Sequence, residues 1–365
     1  MLAIDRINYL NIGLMIGACL AAYAFPFELF LFSYAVLGPL HYLTEISWLH
    51  DRNYFTESEK SGAGGRNPQK GRLVEVPNPN VKRSKDRRAT TKIKQAKLPN
   101  RAWLILVVVT MGVLILGFVT AEILRAPISP KWEITMFYLV LVTALLVTEM
   151  RNKTTKVVVF ILALASLALF STSRYYIILA FFFVTIIHVF IFTAAFILQG
   201  ALKSRSASGI LSLAVFVLCA VIFFVYVPET QGHAVGAYVR NSYRSFNALN
   251  AELIKLFNLG PGSSATEIYE SKVGLMIMRL IAFAYTYHYL NWFSKTSIIK
   301  WHEVPKSRIA IIGVMWLASL GLYAYNYDQG MAILYFLSIL HVMLEFPLNH
   351  RTFAGIGREL YAIAK

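Results

Sequence analysis

Apolar residues run along most of this chain in stretches of about 20, separated by polar segments. A helix needs about 20 such residues to cross a hydrocarbon layer about 30 Å thick. Pro26 divides the first two stretches, which we expect to form a helical hairpin. The pattern predicts an all-α, polytopic bundle of about ten transmembrane helices. The predicted spans are residues 8–25, 27–49, 102–124, 132–150, 155–172, 176–198, 208–227, 272–293, 308–325 and 330–348.

These stretches divide the chain into five parts. A transmembrane hairpin at 1–49 is followed by a basic loop at 50–101. Helices 3–7 occupy residues 102–227. An outer loop follows at 228–271, and helices 8–10 with a short tail fill 272–365.

Composition narrows the class of protein. Hydrophobic residues make up 57% of the chain, charged residues only 15%, and the mean hydropathy is +0.56. Both values exclude an ordinary soluble enzyme and a disordered chain. The two cysteines, Cys19 and Cys219, lie in apolar spans, which excludes a disulfide framework and a cysteine metal site. The first span lacks a small-residue cleavage site, so we expect no cleavable signal peptide.

Charge is distributed unevenly along the chain. There are 35 Lys and Arg against 19 Asp and Glu, and 14 of the basic residues lie in the loop 50–101. This excludes nucleic acid as the partner and fits the excess of positive charge on cytoplasmic loops. With the N-terminus inside, the inner segments hold 27 basic residues and the outer segments 7. We therefore expect an integral protein of a bacterial inner membrane, with both termini in the cytoplasm.

Two loops have features of their own. The loop 51–101 is rich in Gly, Pro, Lys and Arg and is expected to be mobile. It either contacts anionic lipid headgroups or serves only as a topology signal.

Residues 243–258 place apolar side chains at helical spacing, which predicts an amphipathic helix along the outer surface. This helix is either a lid over a lateral opening or an anchor. Its apolar positions are Phe246, Leu249, Leu253, Leu256 and Phe257.

Histidine carries the candidate chemistry. Of eight histidines, four fall within predicted spans: His41, His188, His288 and His341. All four lie on even-numbered spans, roughly 8–15 Å of helix from the cytoplasmic end. Ionisable groups within a bilayer are costly and indicate function. Since imidazole suits iron, copper and zinc, the shared depth predicts one metal site held by all four.

Acidic residues accompany two of these histidines. The spacing H-x3-E-x4-H occurs at His41 and again at His341, so that Glu45 and Glu345 each share a helix face with a histidine. Each glutamate is either a ligand or a hydrogen-bond partner of an imidazole; we expect the latter. His50 and His350 lie two and a half turns further on and are excluded. Glu149, at the end of another even span, is a further candidate partner.

Aromatic residues follow on the eighth span. Tyr285, Tyr287 and Trp292 surround His288, and they either line a substrate tunnel or form an interfacial belt. The sequence contains no P-loop, no dinucleotide fingerprint, no H-E-x-x-H and no G-x-S-x-G.

Four short motifs occur in a fixed order, and their residues are Gly38-Pro39-Leu40-His41 with Glu45, then Ile186-Ile187-His188, then His288, and finally His341 with Glu345. This set resembles the motifs of the Brp/Blh family of membrane β-carotene 15,15′-dioxygenases. The third family motif is H-x3-H, and Trp292 stands here at the position of its second histidine. The resemblance covers about two-thirds of the chain.

The resemblance implies a polytopic helical enzyme that holds Fe2+ through histidines and uses O2 to split β-carotene into two retinals. The implied partners are O2 and an apolar membrane substrate, a carotenoid or another lipid. The residues alone leave three alternatives open. These are a membrane di-iron desaturase or hydroxylase, a b-type haem protein that uses His41 and His341, and a proton-coupled transporter.

Overall fold

A computed structural model confirms the all-α class. It describes residues 3–51, 101–122, 130–148, 150, 152–170, 183–228, 235–260, 264–295 and 299–365. No strand occurs in these ranges. The basic loop prediction falls almost wholly on residues 52–100, outside the described part of the chain.

Fourteen α-helices make up the described residues, together with two π-helical segments at Ser33–Leu37 and Phe183–Phe192 and two single 3-10 turns at Arg244–Phe246 and Trp301–Glu303. The α-helices are α1 Ala3–Ala24, α2 Pro26–Phe32, α3 Gly38–Asp51, α4 Arg101–Glu122, α5 Pro130–Thr148, α6 Lys153–Phe170, α7 Thr193–Ser204, α8 Ala207–Val225, α9 Ala237–Tyr243, α10 Asn247–Leu256, α11 Ala265–Glu270, α12 Lys272–Ser294, α13 Lys306–Tyr325 and α14 Tyr327–Ala364.

Eight helical stretches of the described chain are long and apolar enough to cross a membrane. The predicted spans 132–150 and 155–172 form helices, α5 and α6, but are not among the eight. The count of ten spans therefore stays a prediction. The eight stretches are Ile4–Ala24, Pro26–Asp51, Trp103–Ala121, Thr185–Ser204, Ala207–Val225, Lys272–Ser294, Lys306–Tyr325 and Tyr327–Ala364.

Local sequence sets several helix ends. Pro26 occupies the first turn of α2, where its missing N–H costs nothing, and Phe25 alone separates α2 from α1. Ser206 caps α8 by accepting a hydrogen bond from the Gly209 N–H at 3.2 Å. Asn326 caps α14 in the same way, and this polar residue separates α14 from α13.

Helix α12 forms the centre of the bundle. It is buried along nearly its whole length and packs against α1, α2 and α8 as well as both π segments. A second apolar cluster joins α4 and α5 to the middle of α14. Helix α14 also packs on α3 and α7. This packing brings histidines from four segments to one region: α3, the second π segment, α12 and α14.

The outer segment folds as two short helices, α9 and α10, joined by a 3-10 turn, rather than as one continuous helix over 243–258. Leu249 and Leu253 are buried as the apolar spacing predicts, whereas Leu256 and Phe257 are exposed. Phe246 packs edge-on against Phe30 with ring centroids 4.7 Å apart. This segment therefore packs on the bundle as far as Ile254, and its last residues are exposed.

Candidate metal centre

The structure brings together all four histidines that the sequence singled out. Their imidazole centroids are 4.8–5.3 Å apart around a closed circuit. The order in this circuit is His41, His288, His188, His341 and back to His41. Each imidazole thus contacts two others edge to face. We call this closed arrangement the histidine ring; its members are at most 6% exposed.

Irregular helix geometry positions two of these side chains. The π segment Ser33–Leu37 ends four residues before His41, and the segment Phe183–Phe192 contains His188. Such wide turns are frequent at functional sites because they re-aim side chains within an otherwise regular helix. At Gly38, where α3 begins, an added Cβ would lie 3.0 Å from the Tyr42 hydroxyl and 3.3 Å from the Tyr289 hydroxyl. A larger residue would therefore crowd these two hydroxyls.

A threonine fixes the orientation of His288. The Thr193 Oγ1 lies 2.8 Å from the Val189 carbonyl and 2.9 Å from Nδ1 of His288. Since the hydroxyl has one proton and donates it to the carbonyl, its oxygen accepts from the His288 Nδ1–H. The proton on Nδ1 leaves the Nε2 lone pair free, and this atom has no hydrogen-bond partner. His288 is thereby held in the tautomer that a metal ligand requires.

Each of the two glutamates contacts an imidazole. Glu45 Oε2 lies 3.1 Å from His41 Nε2, the neighbour expected from their spacing. Glu345 Oε2 lies 3.3 Å from Nδ1 of His188, across to another helix, rather than against His341 on its own helix. Both contacts have the distance of a hydrogen bond but not its angles, because these atoms have no hydrogen-bond partner.

Three of the imidazoles could hold a metal ion. Ring nitrogens of His41, His288 and His341 all lie within 4.8 Å of one another. His188 Nε2 is 3.2 Å from His341 Nε2. Two ligands of one ion, each at about 2.0–2.2 Å, are separated by about 2.8–3.6 Å when they are about 90–110° apart. The histidine pair falls within this range, and imidazole donors accept iron as well as copper or zinc.

Unpaired buried atoms point to the same place. Among the described residues, fourteen buried side-chain nitrogen and oxygen atoms have no hydrogen-bond partner, and seven of them belong to the four histidines and two glutamates of this site. Such atoms are costly unless an ion or water satisfies them. The seven atoms lie on His41, Glu45, His188, His288, His341 and Glu345.

A lysine lies near the two carboxylates at the end of α12. Burial lowers the pKa of Lys295 to about 8, although the charges of Glu45 and Glu345 act in the opposite direction. Within the described chain, no lysine or arginine comes within 4.0 Å of either carboxylate. Glu45 and Glu345 are each 2% exposed, and their carboxyl groups contact each other as well as the imidazoles.

Two cavities meet at the histidine ring. One, of about 170 Å³, is walled by aromatic side chains such as Tyr34 and Tyr285, and we call it the aromatic cavity. The other, of about 460 Å³, runs past Trp292 to Lys295 and is the polar cavity. His288 lines both.

The predicted tunnel residues are distributed between these cavities. Tyr285 lines the aromatic cavity and Trp292 the polar cavity. Tyr287 lines neither of these two cavities, and its hydroxyl donates to the Asn11 Oδ1 at 3.1 Å, on the side of α1. A helix turns by about 100° per residue, so Tyr285, His288 and Trp292 share one face while Tyr287 lies on the opposite one.

Other predicted positions lie away from the ring or outside the described chain. His350 Nε2 is 3.1 Å from the Leu141 carbonyl, and His50 is more than half exposed beside Asp51. Both exclusions therefore agree with the structure. Glu149 lies outside the described residues.

The sequence reasoning missed several contacts. Tyr42 and Tyr289 share a hydrogen bond of 2.7 Å beside the ring, and the Tyr42 ring stacks on His341 with centroids 4.2 Å apart. Tyr289 follows His288 and lies four residues after Tyr285, a spacing that could have identified it. Thr193 carries no such signal, because its partner lies on a distant helix.

Comparisons with known protein families, with curated proteins and with solved structures found no match.

Proposed function

We propose that this protein is an oxygen-dependent membrane enzyme that holds Fe2+ through histidines and cleaves a carotenoid, with β-carotene as the substrate and retinal as the product. The observation that carries the proposal is the histidine ring, in which four distant chain segments contribute one buried imidazole each. Four buried imidazoles in mutual contact are a costly arrangement for packing alone.

The reaction needs few groups from the protein. Bound iron supplies the redox chemistry with O2. Cleavage of one carbon–carbon double bond by O2 places one oxygen atom on each carbon and gives two aldehydes, so that neither a protein nucleophile nor a reductant is required. Neutral imidazoles hold a cation without cancelling its charge.

The chain's own contribution is the orientation of the donor groups and of the substrate. Thr193 fixes the tautomer of His288, and Glu45 and Glu345 neighbour His41 and His188. The aromatic cavity offers flat apolar surfaces beside the ring, which suit a conjugated chain and align one bond with the centre.

The resemblance to the Brp/Blh family supports the same class of reaction. Its motif residues His41, His188, His288 and His341 are the four members of the ring. Trp292, which replaces a family histidine, donates its indole N–H to the Thr44 hydroxyl at 3.0 Å and forms part of the polar cavity wall.

The haem alternative fits less well. A macrocycle held between His41 and His341 would have to lie between two rings whose centroids are 5.3 Å apart and in edge-to-face contact.

The test is expression in bacteria that make β-carotene. We expect loss of colour with formation of retinal, abolished by His41→Ala and by His341→Ala. His350→Ala is the matched control, because His350 lies on the same helix as His341 and bonds the Leu141 carbonyl instead. Unchanged β-carotene with folded, iron-loaded protein would refute the carotenoid assignment. Absence of iron from folded wild-type protein would refute the metal centre as well.

A further inference from the structure

Two tyrosines cover the histidine ring on the side of the aromatic cavity. The Tyr42 ring stacks on His341 with centroids 4.2 Å apart. The centroid of the Tyr289 ring lies 5.2 Å from that of His41 and 5.5 Å from that of His288. Both tyrosines line the aromatic cavity, and neither lines the polar cavity. The two phenol groups therefore lie where the aromatic cavity meets the ring.

The hydroxyl groups of these two tyrosines contact each other. Their oxygen atoms are 2.7 Å apart, and both side chains are at most 2% exposed. Gly38 leaves space for this contact, because a Cβ at that position would lie 3.0 Å from one hydroxyl and 3.3 Å from the other. A hydroxyl group buried among aromatic side chains is costly when its proton has no acceptor.

A count of protons leaves one donor over. The two hydroxyls carry two protons, and the bond between them uses one. The Tyr42 hydroxyl also lies against the side chain of Ser338. The Tyr289 hydroxyl has no hydrogen-bond partner besides Tyr42 in the part of the chain that the structure describes. When Tyr42 donates to Tyr289, the proton of Tyr289 is therefore available to a ligand in the cavity.

The proposed reaction creates an acceptor at this point. Each half of a cleaved polyene ends in an aldehyde at the bond that was aligned with the ring, and a carbonyl oxygen in an apolar cavity is costly without a donor. The hydrocarbon substrate has no oxygen there. While it is bound, the pair can reverse its direction, so that Tyr289 donates to Tyr42 and Tyr42 donates to Ser338.

We infer that Tyr289 donates a hydrogen bond to the aldehyde oxygen of a polyene bound in the aromatic cavity, and that Tyr42 positions the Tyr289 hydroxyl for this bond. The inference deepens the proposed function, on which the identity of the aldehyde rests, by naming a residue that binds the product through its new oxygen atom.

Packing alone predicts a different result. If the two hydroxyls only satisfy each other, removal of one lowers the stability of the bundle and has no particular effect on an aldehyde. Tyr287 provides the matched control, because it is buried on the same helix. Its hydroxyl also donates one hydrogen bond, to Asn11 Oδ1 at 3.1 Å, but on the side of α1.

The experiment compares the binding of retinal with that of axerophthene, which has the same polyene and a methyl group in place of the aldehyde. The purified full chain is used in detergent without oxygen, and quenching of tryptophan fluorescence reports binding, since Trp292 lies 5.6 Å from His41 between ring centroids. We expect retinal to bind about 5-fold more tightly than axerophthene, the scale of one hydrogen bond. Tyr289→Phe should remove this preference, whereas Tyr287→Phe should leave it unchanged.

The infrared carbonyl band of bound retinal is the second measurement, because a hydrogen bond to the oxygen weakens the C=O bond. We expect the band at a lower frequency in the wild-type protein than in a hydrocarbon solvent. Tyr289→Phe should return it toward the solvent position, and Tyr287→Phe should not.

A carbonyl band at the solvent position in the wild-type protein would overturn the inference, and this measurement needs no variant to fold. An effect of Tyr287→Phe as large as that of Tyr289→Phe would overturn it too. Cleavage of β-carotene is measured on the same preparation in the presence of oxygen. Failure of cleavage with a shifted carbonyl band refutes only the reaction, whereas cleavage with an unshifted band refutes only the role of Tyr289.

Discussion

Replacing Thr193 by valine tests whether the histidine ring is a metal centre. Valine keeps the size of the side chain and removes the oxygen that accepts from His288 Nδ1–H at 2.9 Å. The buried imidazole then has an unpaired N–H, or it shifts its proton to Nε2 and loses the lone pair that would bind the ion. Either outcome lowers the affinity for metal without removing a ligand.

The magnitude follows from the role of that hydrogen bond. Loss of a partner that orients a metal-bound histidine costs about 10–100-fold in affinity, or about 1.4–2.8 kcal/mol. Co2+ is a suitable probe, since its visible absorption reports binding during titration of the metal-free protein in detergent. Thr193→Ser keeps the hydroxyl and should restore most of the affinity.

A matched control separates this effect from a general loss of stability. Thr352 is as buried as Thr193, lines the same polar cavity, and its hydroxyl bonds only the Leu348 carbonyl at 3.0 Å. Thr352→Val should leave Co2+ affinity unchanged. Wild-type affinity in Thr193→Val, with His288 intact, would refute the reasoning.

Two further results are expected. Gly38→Ala should lower the melting temperature, because the new Cβ would lie 3.0 Å from the Tyr42 hydroxyl. That crowding costs about 1–3 kcal/mol, whereas the replacement of a helical glycine by alanine gains about 0.5–1 kcal/mol. Gly13→Ala is the control and should raise the melting temperature, since the space around its Cβ is open. A cysteine introduced at Ser84 should resist an impermeant thiol reagent applied to whole cells and react with a permeant one; labelling by both would reverse the predicted orientation.

Much of the site could be predicted from the sequence, because the distance of a residue from the end of its predicted span gives its depth in the membrane. Histidines at similar distances from the same ends of parallel spans must lie in one layer, and this sufficed to select His41, His188, His288 and His341. The contact of Glu45 with His41 followed equally from helix periodicity.

The remaining contacts depend on how helices pack. Glu345 shares a helix face with His341, yet it contacts His188, because the rotation and crossing of α14 relative to the π segment decide which imidazole it reaches. The irregular turns themselves, at Ser33–Leu37 and Phe183–Phe192, leave no clear mark in the pattern of apolar residues. The position of Tyr287 follows from helix periodicity, which places it on a different face from Tyr285 and Trp292.

The four histidines of the ring are synthesised far apart in time, because they lie on widely separated segments of the chain. His41 lies on α3, near the start of the described helices, whereas His341 lies on α14, the last of them, 153 positions after His188. During synthesis the donor set is incomplete until α14 has been inserted. On the proposed function, a metal that needs all four histidines could be bound only after this step, and a chain arrested before α14 would lack the complete donor set.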